Sequence, residues 1–402
     1  MRDAAALDQA DPLRSFRDRF ELPDRVIYLD GNSLGPLPRA TPERIARLMH
    51  EEWGQSLIRA WNEHGWIDLS RRVGDKIGQL IGAEPGSTIV CDSTTINLFK
   101  CLRAAMGLNL ARRHVVTETD NFPTDAYVLD DVVTSHRHHF RYDAYDDPLP
   151  ELGPNTSVLL LSHVNYRTGA MHDMAAVDAR AHQYRAPVLW DLSHSVGAVP
   201  LSIAADGADF AVGCGYKYLN GGPGAPAFLS VAKRHWDSLA FPFHGWLGHA
   251  DPFAFEPAFR PAAGVAAAQV GTPPILSLAA LEVGVDIMLD APLDQLREKS
   301  IGLTERFRVG MEQRGFPCVS PADPARRGSQ LSFAHPDGHA IMRALIARGV
   351  IGDFRAPDVM RFGFAPLYLR YRDVDDALAI IDEVMREEAW RDPAYQVKLA
   401  VT

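Results

Sequence analysis

Two short runs of this 402-residue chain carry the side chains with the most chemistry. Asp191-Leu-Ser-His194 closes one apolar stretch, and Gly213-Cys-Gly-Tyr216-Lys217 closes the next. Lys217 stands among small and aromatic residues, with no other charge in its run. A lysine in that setting can form a Schiff base with an aldehyde. A carboxylate such as Asp191 can keep a pyridine nitrogen protonated, so that the ring draws in electrons. Those are the two protein groups that pyridoxal 5'-phosphate (PLP) chemistry needs most. Tyr216 is placed to bind a phosphate or donate a proton. An apolar pocket would lower the Lys217 pKa, so that it could take up and return a Cα proton. His194 can orient the acid or the ring. A helix-capping Asp followed by a surface His is the plainer reading of the first run.

Three further runs could complete such a site. Ser93-Thr94-Thr95-Ile-Asn97 lies between a predicted strand and a predicted helix. Hydroxyls and free N–H groups at a helix start bind anions, although simple capping explains the same residues. Phe122-Pro-Thr-Asp125 opens another helix. Its aromatic can stack on a planar ring, or serve only as a hydrophobic staple. Arg361, alone on an apolar strand, suits a bidentate carboxylate clamp or a structural ion pair. His136-Arg-His138-His139 lacks the spacing of three or four ligands on one face, so no metal is expected. Gly221-Gly-Pro-Gly224 reads as a turn closing the lysine loop. The chain has neither a Walker pattern nor G-x-G-x-x-G, so no nucleotide is suggested.

Apolar runs at 88–91, 114–117, 157–162, 187–191, 209–213 and 225–229 read as strands. Helical patterns at 70–81, 94–107, 123–134 and 173–185 precede the first four in turn. Continuous apolar strands between helices imply a mostly parallel sheet covered on both faces, an α/β fold. Ligands bind such sheets beyond the strands' carboxyl ends, where Asp191, His194 and Lys217 fall. Upstream, 43–60 has the periodicity of one amphipathic helix. Residues 240–275 form a long Pro-, Gly- and aromatic-rich connection. Helices at 276–290, 292–314, 337–347 and 373–387, with strands at 330–333 and 361–364, make a smaller α+β domain. The expected division is an N-terminal arm and helix start over 1–48, a large domain over 49–262 and the small domain over 263–402. The arm is expected to pack on the small domain.

A formal net charge of -10 argues against nucleic acid or an anionic membrane as partner. None of the four cysteines forms a C-x-x-C pair, which suits reduced thiols in the cytoplasm. The first residues lack a signal peptide's apolar region, and no window is apolar enough to span a bilayer.

In order along the chain, the motifs resemble those of the kynureninase family, within the fold-type I PLP enzymes. They are Leu29-Asp-Gly-Asn-Ser-Leu-Gly-Pro36, Ser93-Thr-Thr-Ile-Asn97, Phe122-Pro-Thr-Asp125, Asn165-Tyr-Arg-Thr-Gly169, Asp191-Leu-Ser-His194, Gly215-Tyr-Lys-Tyr-Leu-Asn-Gly-Gly-Pro-Gly224 and Gly271-Thr-Pro-Pro-Ile275. The resemblance implies PLP on Lys217, its pyridine nitrogen on Asp191 and its ring under Phe122. It implies Thr94, Thr95 and Tyr216 at the phosphate, with Trp246 and Thr272 reaching in from a second subunit of a homodimer. Asp125, Thr168 and His194 would line the cofactor, Arg361 would hold the substrate carboxylate and Trp61 would cover its aryl ring. The implied reaction is hydrolysis of L-kynurenine to anthranilate and L-alanine in tryptophan degradation, with Tyr216 assisting. Animal members tend to have His and Asn where this chain has Trp61 and Thr272, which favours kynurenine over its 3-hydroxy form. A cysteine desulfurase or selenocysteine lyase of the same superfamily would need a catalytic cysteine on the loop 348–357, and none is there. A PLP-binding transcriptional regulator would need an appended DNA-binding module, and no basic helix-turn-helix segment is present.

Overall fold

The protein's computed structural model describes residues 3–135 and 141–397. The histidine run 136–139 lies outside the described residues. Seven strands build the large sheet: β1 (Thr88–Val90), β2 (His114–Glu118), β3 (Arg141–Tyr145), β4 (Thr156–Ser162), β5 (Val188–Asp191), β6 (Phe210–Gly213) and β7 (Phe228–Val231). Their spatial order is β1-β7-β6-β5-β4-β2-β3. Only β7 runs against its neighbours, and the other pairings are parallel. Every residue of β4 to β7 is buried, which is why these runs are continuously apolar rather than alternating. Leu159, Leu161 and Trp190 belong to one core cluster, and Val158, Leu160 and Leu189 to another. Successive side chains of each strand thus feed opposite faces of the sheet.

Helices α1 (Leu69–Leu80), α2 (Thr94–Gly107), α3 (Pro123–Thr134) and α4 (Met174–His182) cover those faces. Each start has a local cause. Ser93 caps α2 by accepting from Ile96 N, and Asp173 caps α4 by accepting from Ala176 N. Pro123 opens α3 with a preset φ and no amide to satisfy. No helix among the described residues is long and apolar enough to cross a membrane.

Toward the C-terminus come α5 (Ile275–Asp290), α6 (Leu293–Gln313), β8 (Gln330–Ala334), α7 (Gly338–Ala347), β9 (Asp353–Arg355), β10 (Val359–Gly363) and α8 (Tyr371–Arg386). Strand β10 lies between β8 and β9, antiparallel to both. The N-terminal run joins this region: Ile27–Tyr28 pairs with Val350–Ile351, and Asp30 bridges to Gly363.

Two sequence expectations change. The helix expected over 43–60 is interrupted. Thr41–Arg47 widens into a π-turn over Leu48–Trp53, and the chain breaks at Leu57, with φ 53° and ψ -130°. Within the irregular stretch Glu52 points inward and accepts from Trp66 Nε1 and Arg44 Nη1, each at 2.8 Å. That leaves Trp53, Leu57 and Ile58 facing outward. The strand expected at 225–229 begins three residues later, because Ala225 closes a turn onto Gly222. Strand β3 escapes sequence reading altogether: it is a half-exposed edge without an apolar run.

Candidate active site

Asp191 is the last residue of β5, and Lys217 follows β6 by four residues. Strands β1, β2 and β4 end at the same edge, from which the turns into α2 and α3 start. This geometry gathers Thr94, Thr95, Phe122, Asp125, Asp191, His194, Tyr216 and Lys217 around one cavity of about 170 Å³, with Ser162, Val164 and Tyr166 completing the wall. The lysine loop is fixed by its backbone. Gly221 N donates to Gly215 O and Asn220 N to Lys217 O, each at 2.9 Å. Gly35 N donates to Tyr216 O at 2.8 Å. A Cβ on Gly35 would lie 2.5 Å from the Lys217 carbonyl oxygen. This contact gives the Asn-Ser-Leu-Gly run a physical reason: the arm packs directly on the lysine.

The cavity is electrostatically poised. Lys217 Nζ lies 2.8 Å from His194 Nε2. Desolvation lowers the Lys217 amine, against the pull of Cys214 and Asp191. Burial, then the Lys217 charge, holds the His194 imidazole well below its usual range. Burial also raises Asp191, although Ser193 N donates to its Oδ1 at 2.8 Å. Asp125 is pushed well above the carboxylate range by burial and then by Asp191. Asp125 Oδ2 and His194 Nδ1 are buried without a well-formed hydrogen bond, with the Ser162 and Gln330 side chains as the polar neighbours of these two residues. A pyridinium nitrogen suits the crowded carboxyls, an aldehyde suits the lysine, and a phosphate suits Thr94 and Thr95 at the start of α2. The residues fit PLP.

Within this wall Phe122, 38% exposed, meets the Tyr166 ring edge-on at 5.1 Å. Other predicted residues lie beside or apart from it. Thr168 donates from Oγ1 to Asn165 Oδ1 at 3.1 Å within its own turn, next to Tyr166. Arg361 sits fully buried on β10. Its Nε donates to Asp353 Oδ1 at 2.8 Å, its Nη2 to Ser33 Oγ at 2.9 Å and to Asp353 Oδ2, and its Nη1 to the Tyr166 carbonyl. The ion pair offered as one reading of Arg361 is therefore present, one residue from the cavity wall. Trp61 packs edge-on against Trp66 and does not line the cavity. Trp246 and Thr272 are exposed, and neither lines the cavity.

Sequence reasoning gave no role to Asp30, Ser33, Tyr166, Asp353 or Arg355, which surround Arg361. Asp30 and Ser33 lie in the Leu29–Pro36 motif, so a signal existed for them. Asp353 and Arg355 sit on a three-residue strand with no pattern to expose it.

A family model described as the kynureninase C-terminal domain matches residues 296–381. A kynureninase of Pseudomonas fluorescens is 46% identical over 411 residues, covering 100% of this chain and 99% of its own. One of Burkholderia pseudomallei is 48% identical over 412 residues, with the same coverage. Among solved structures, the apo cysteine desulfurase of Thermococcus onnurineus superposes with a TM-score of 0.78 at 16% identity, covering 96% of this chain and 99% of that one. A C-DES mutant with glycine covalently linked to its PLP cofactor gives 0.80 at 18% identity, over 91% and 99%. These two share the fold. Given relatives of such identity over its whole length, the chain belongs to the kynureninase family.

Proposed function

We propose that this protein uses PLP to hydrolyse the Cβ–Cγ bond of L-kynurenine, giving anthranilate and L-alanine. The observation that carries the reading is Lys217 Nζ, 2.8 Å from His194 Nε2 in a cavity that Asp191 also lines, on a chain with kynureninase relatives over its full length. Bound PLP supplies an aldehyde for the substrate amine and a cationic ring that accepts the electrons freed at Cα. Thr94 and Thr95 would hold its phosphate, Asp191 its ring nitrogen and Phe122 its ring. Lys217 Nζ takes the Cα proton, for which a lowered pKa fits it. His194 stays neutral and holds Lys217 Nζ in place. Tyr216 Oη, kept protonated by desolvation, carries a proton to or from the water that adds to the aryl ketone. Arg361 faces the α-carboxylate, and Trp61 the aryl ring. 3-Hydroxykynurenine is the poorer substrate.

The working form is a cytoplasmic homodimer whose sites are each completed by Trp246 and Thr272 of the other chain. The exposed aromatics around Trp246 support this reading, and so do the four free cysteines. A desulfurase reading is disfavoured by the only half-buried cysteine, Cys318. Its thiol is raised by burial, which opposes nucleophilic use, and it sits 3.6 Å from Ser320 O. The test is purified holoprotein with L-kynurenine, following anthranilate fluorescence and L-alanine. Equimolar release of both is expected. Sulfide release from L-cysteine, with no anthranilate, would overturn the proposal.

A further inference from the structure

A bidentate clamp on a carboxylate needs two N–H groups aimed the same way. Arg361 has five, and four are already engaged: one at Nε, two at Nη2 and one at Nη1. A single N–H at Nη1 is left for a ligand. The second oxygen of a substrate carboxylate therefore needs another donor.

Arg355 stands on the neighbouring strand, β9, and shares the same anion. Its Nη2 lies 2.9 Å from Asp353 Oδ2, and its Nη1 donates to the Phe354 carbonyl. Unlike Arg361, it keeps 36% of its side chain open. After burial, the Arg355 and Arg361 charges both lower His194 and Lys217, two residues that line the cavity. Charge balance points the same way. Asp353 is one carboxylate against two guanidiniums. The remaining acid of the cluster, Asp30, is pushed up to about 8 by burial and by Asp353, so it is largely protonated at neutral pH. Its Oδ1 is buried and unpartnered. The cluster beside the cavity thus holds one uncompensated positive charge, a setting that favours an anion.

We propose that Arg355 is a second binding residue for the substrate α-carboxylate, taking the oxygen that Arg361 cannot reach with its one remaining N–H. The assignment rests on the amino-acid substrate read above, and it makes Arg355 a determinant of preference for a free carboxylate.

The test titrates PLP-loaded Arg355→Gln and wild type with L-alanine and L-alaninamide, following the visible spectrum of the bound cofactor. Loss of one charge-assisted contact predicts about 10- to 100-fold weaker L-alanine binding, with alaninamide changed by no more than about twofold. KM for L-kynurenine should rise by a similar factor at nearly constant kcat. Arg355→Lys, which keeps a cation, should recover part of the loss. An equal loss for acid and amide, or no loss for either, would overturn the assignment. If wild type makes no anthranilate while Arg355→Gln still loses alanine selectively, the kynurenine reading falls and the carboxylate assignment stands.

Discussion

Lys217 Nζ and His194 Nε2 stand 2.8 Å apart, a separation that two cations would resist. Burial settles the conflict by lowering both groups. A neutral imidazole can accept at Nε2 while its other nitrogen is left for the Gln330 side chain. The pair therefore presents a lysine amine that is both oriented and easily deprotonated, as covalent and proton-transfer work at one atom requires.

Lys217→Ala removes both roles together. The expected result is loss of the bound cofactor's characteristic visible band and of nearly all anthranilate formation. Borohydride reduction of the wild-type holoprotein, followed by peptide mapping, should place the label on Lys217. A label on any other lysine would refute the assignment.

Asp191→Asn keeps the size and the bond from Ser193 N but removes the charge that stabilises a ring cation. Turnover should fall by several orders of magnitude, roughly 4–7 kcal/mol in the barrier. Cofactor should still bind through Lys217. Near-normal turnover of the Asn variant would show that the carboxylate has another task.

Much of this site is legible in the sequence because parallel α/β strands announce themselves as unbroken apolar runs. The residues at their ends then fall at one edge. Asp191, His194 and Lys217 are readable for that reason, as are Thr94 and Phe122 at helix starts. Arg361 is readable as a residue but not as a network: its ion pair depends on Asp353, eight positions upstream on a strand too short for any period. The broken helix at Leu57 was hidden for a related reason. Periodicity marks where apolar residues recur, and it does not reveal that buried Glu52 anchors the opposite face. Trp61, Trp246 and Thr272 come from family resemblance alone, and in a single chain none of them lines the Lys217 cavity.

Asp30 sets a pH dependence of stability. Its folded value near 8 lies above the ~3.9 of a free aspartate. The folded chain holds this proton more tightly than the unfolded one. The contribution is therefore complete below about pH 4 and is lost as pH rises toward about 8. Asp353, lowered chiefly by Arg361 against its burial, acts with the opposite sign and matters only in acid. Asp30→Asn mimics the protonated form at every pH. Its urea midpoint should fall less than that of wild type between about pH 6 and pH 8.5. Parallel slopes for the two proteins would show that Asp30 is ionised in the fold.

Phe243, Trp246, Phe253 and Phe255 are 52%, 41%, 60% and 80% exposed within 13 residues, and Met49, Trp53, Leu57 and Ile58 are also uncovered. So much aromatic and aliphatic surface in water calls for a partner face. If that face is a second copy, Trp246 reaches the other chain's cofactor, and a two-fold axis repeats the arrangement. Trp246→Ala should then bind PLP more weakly, although Trp246 does not line its own chain's cavity. Added PLP should favour the dimer in light scattering, because a ligand that spans the interface stabilises it by mass action. The decisive measurement mixes a Lys217→Ala chain with a Trp246→Ala chain. In each mixed dimer one site inherits both lesions and the other inherits neither, so one wild-type site returns where each parent alone has none. Full activity from a monomer, or no recovery once chain exchange has been demonstrated, would show that each chain builds its site alone and that the exposed aromatics serve another surface.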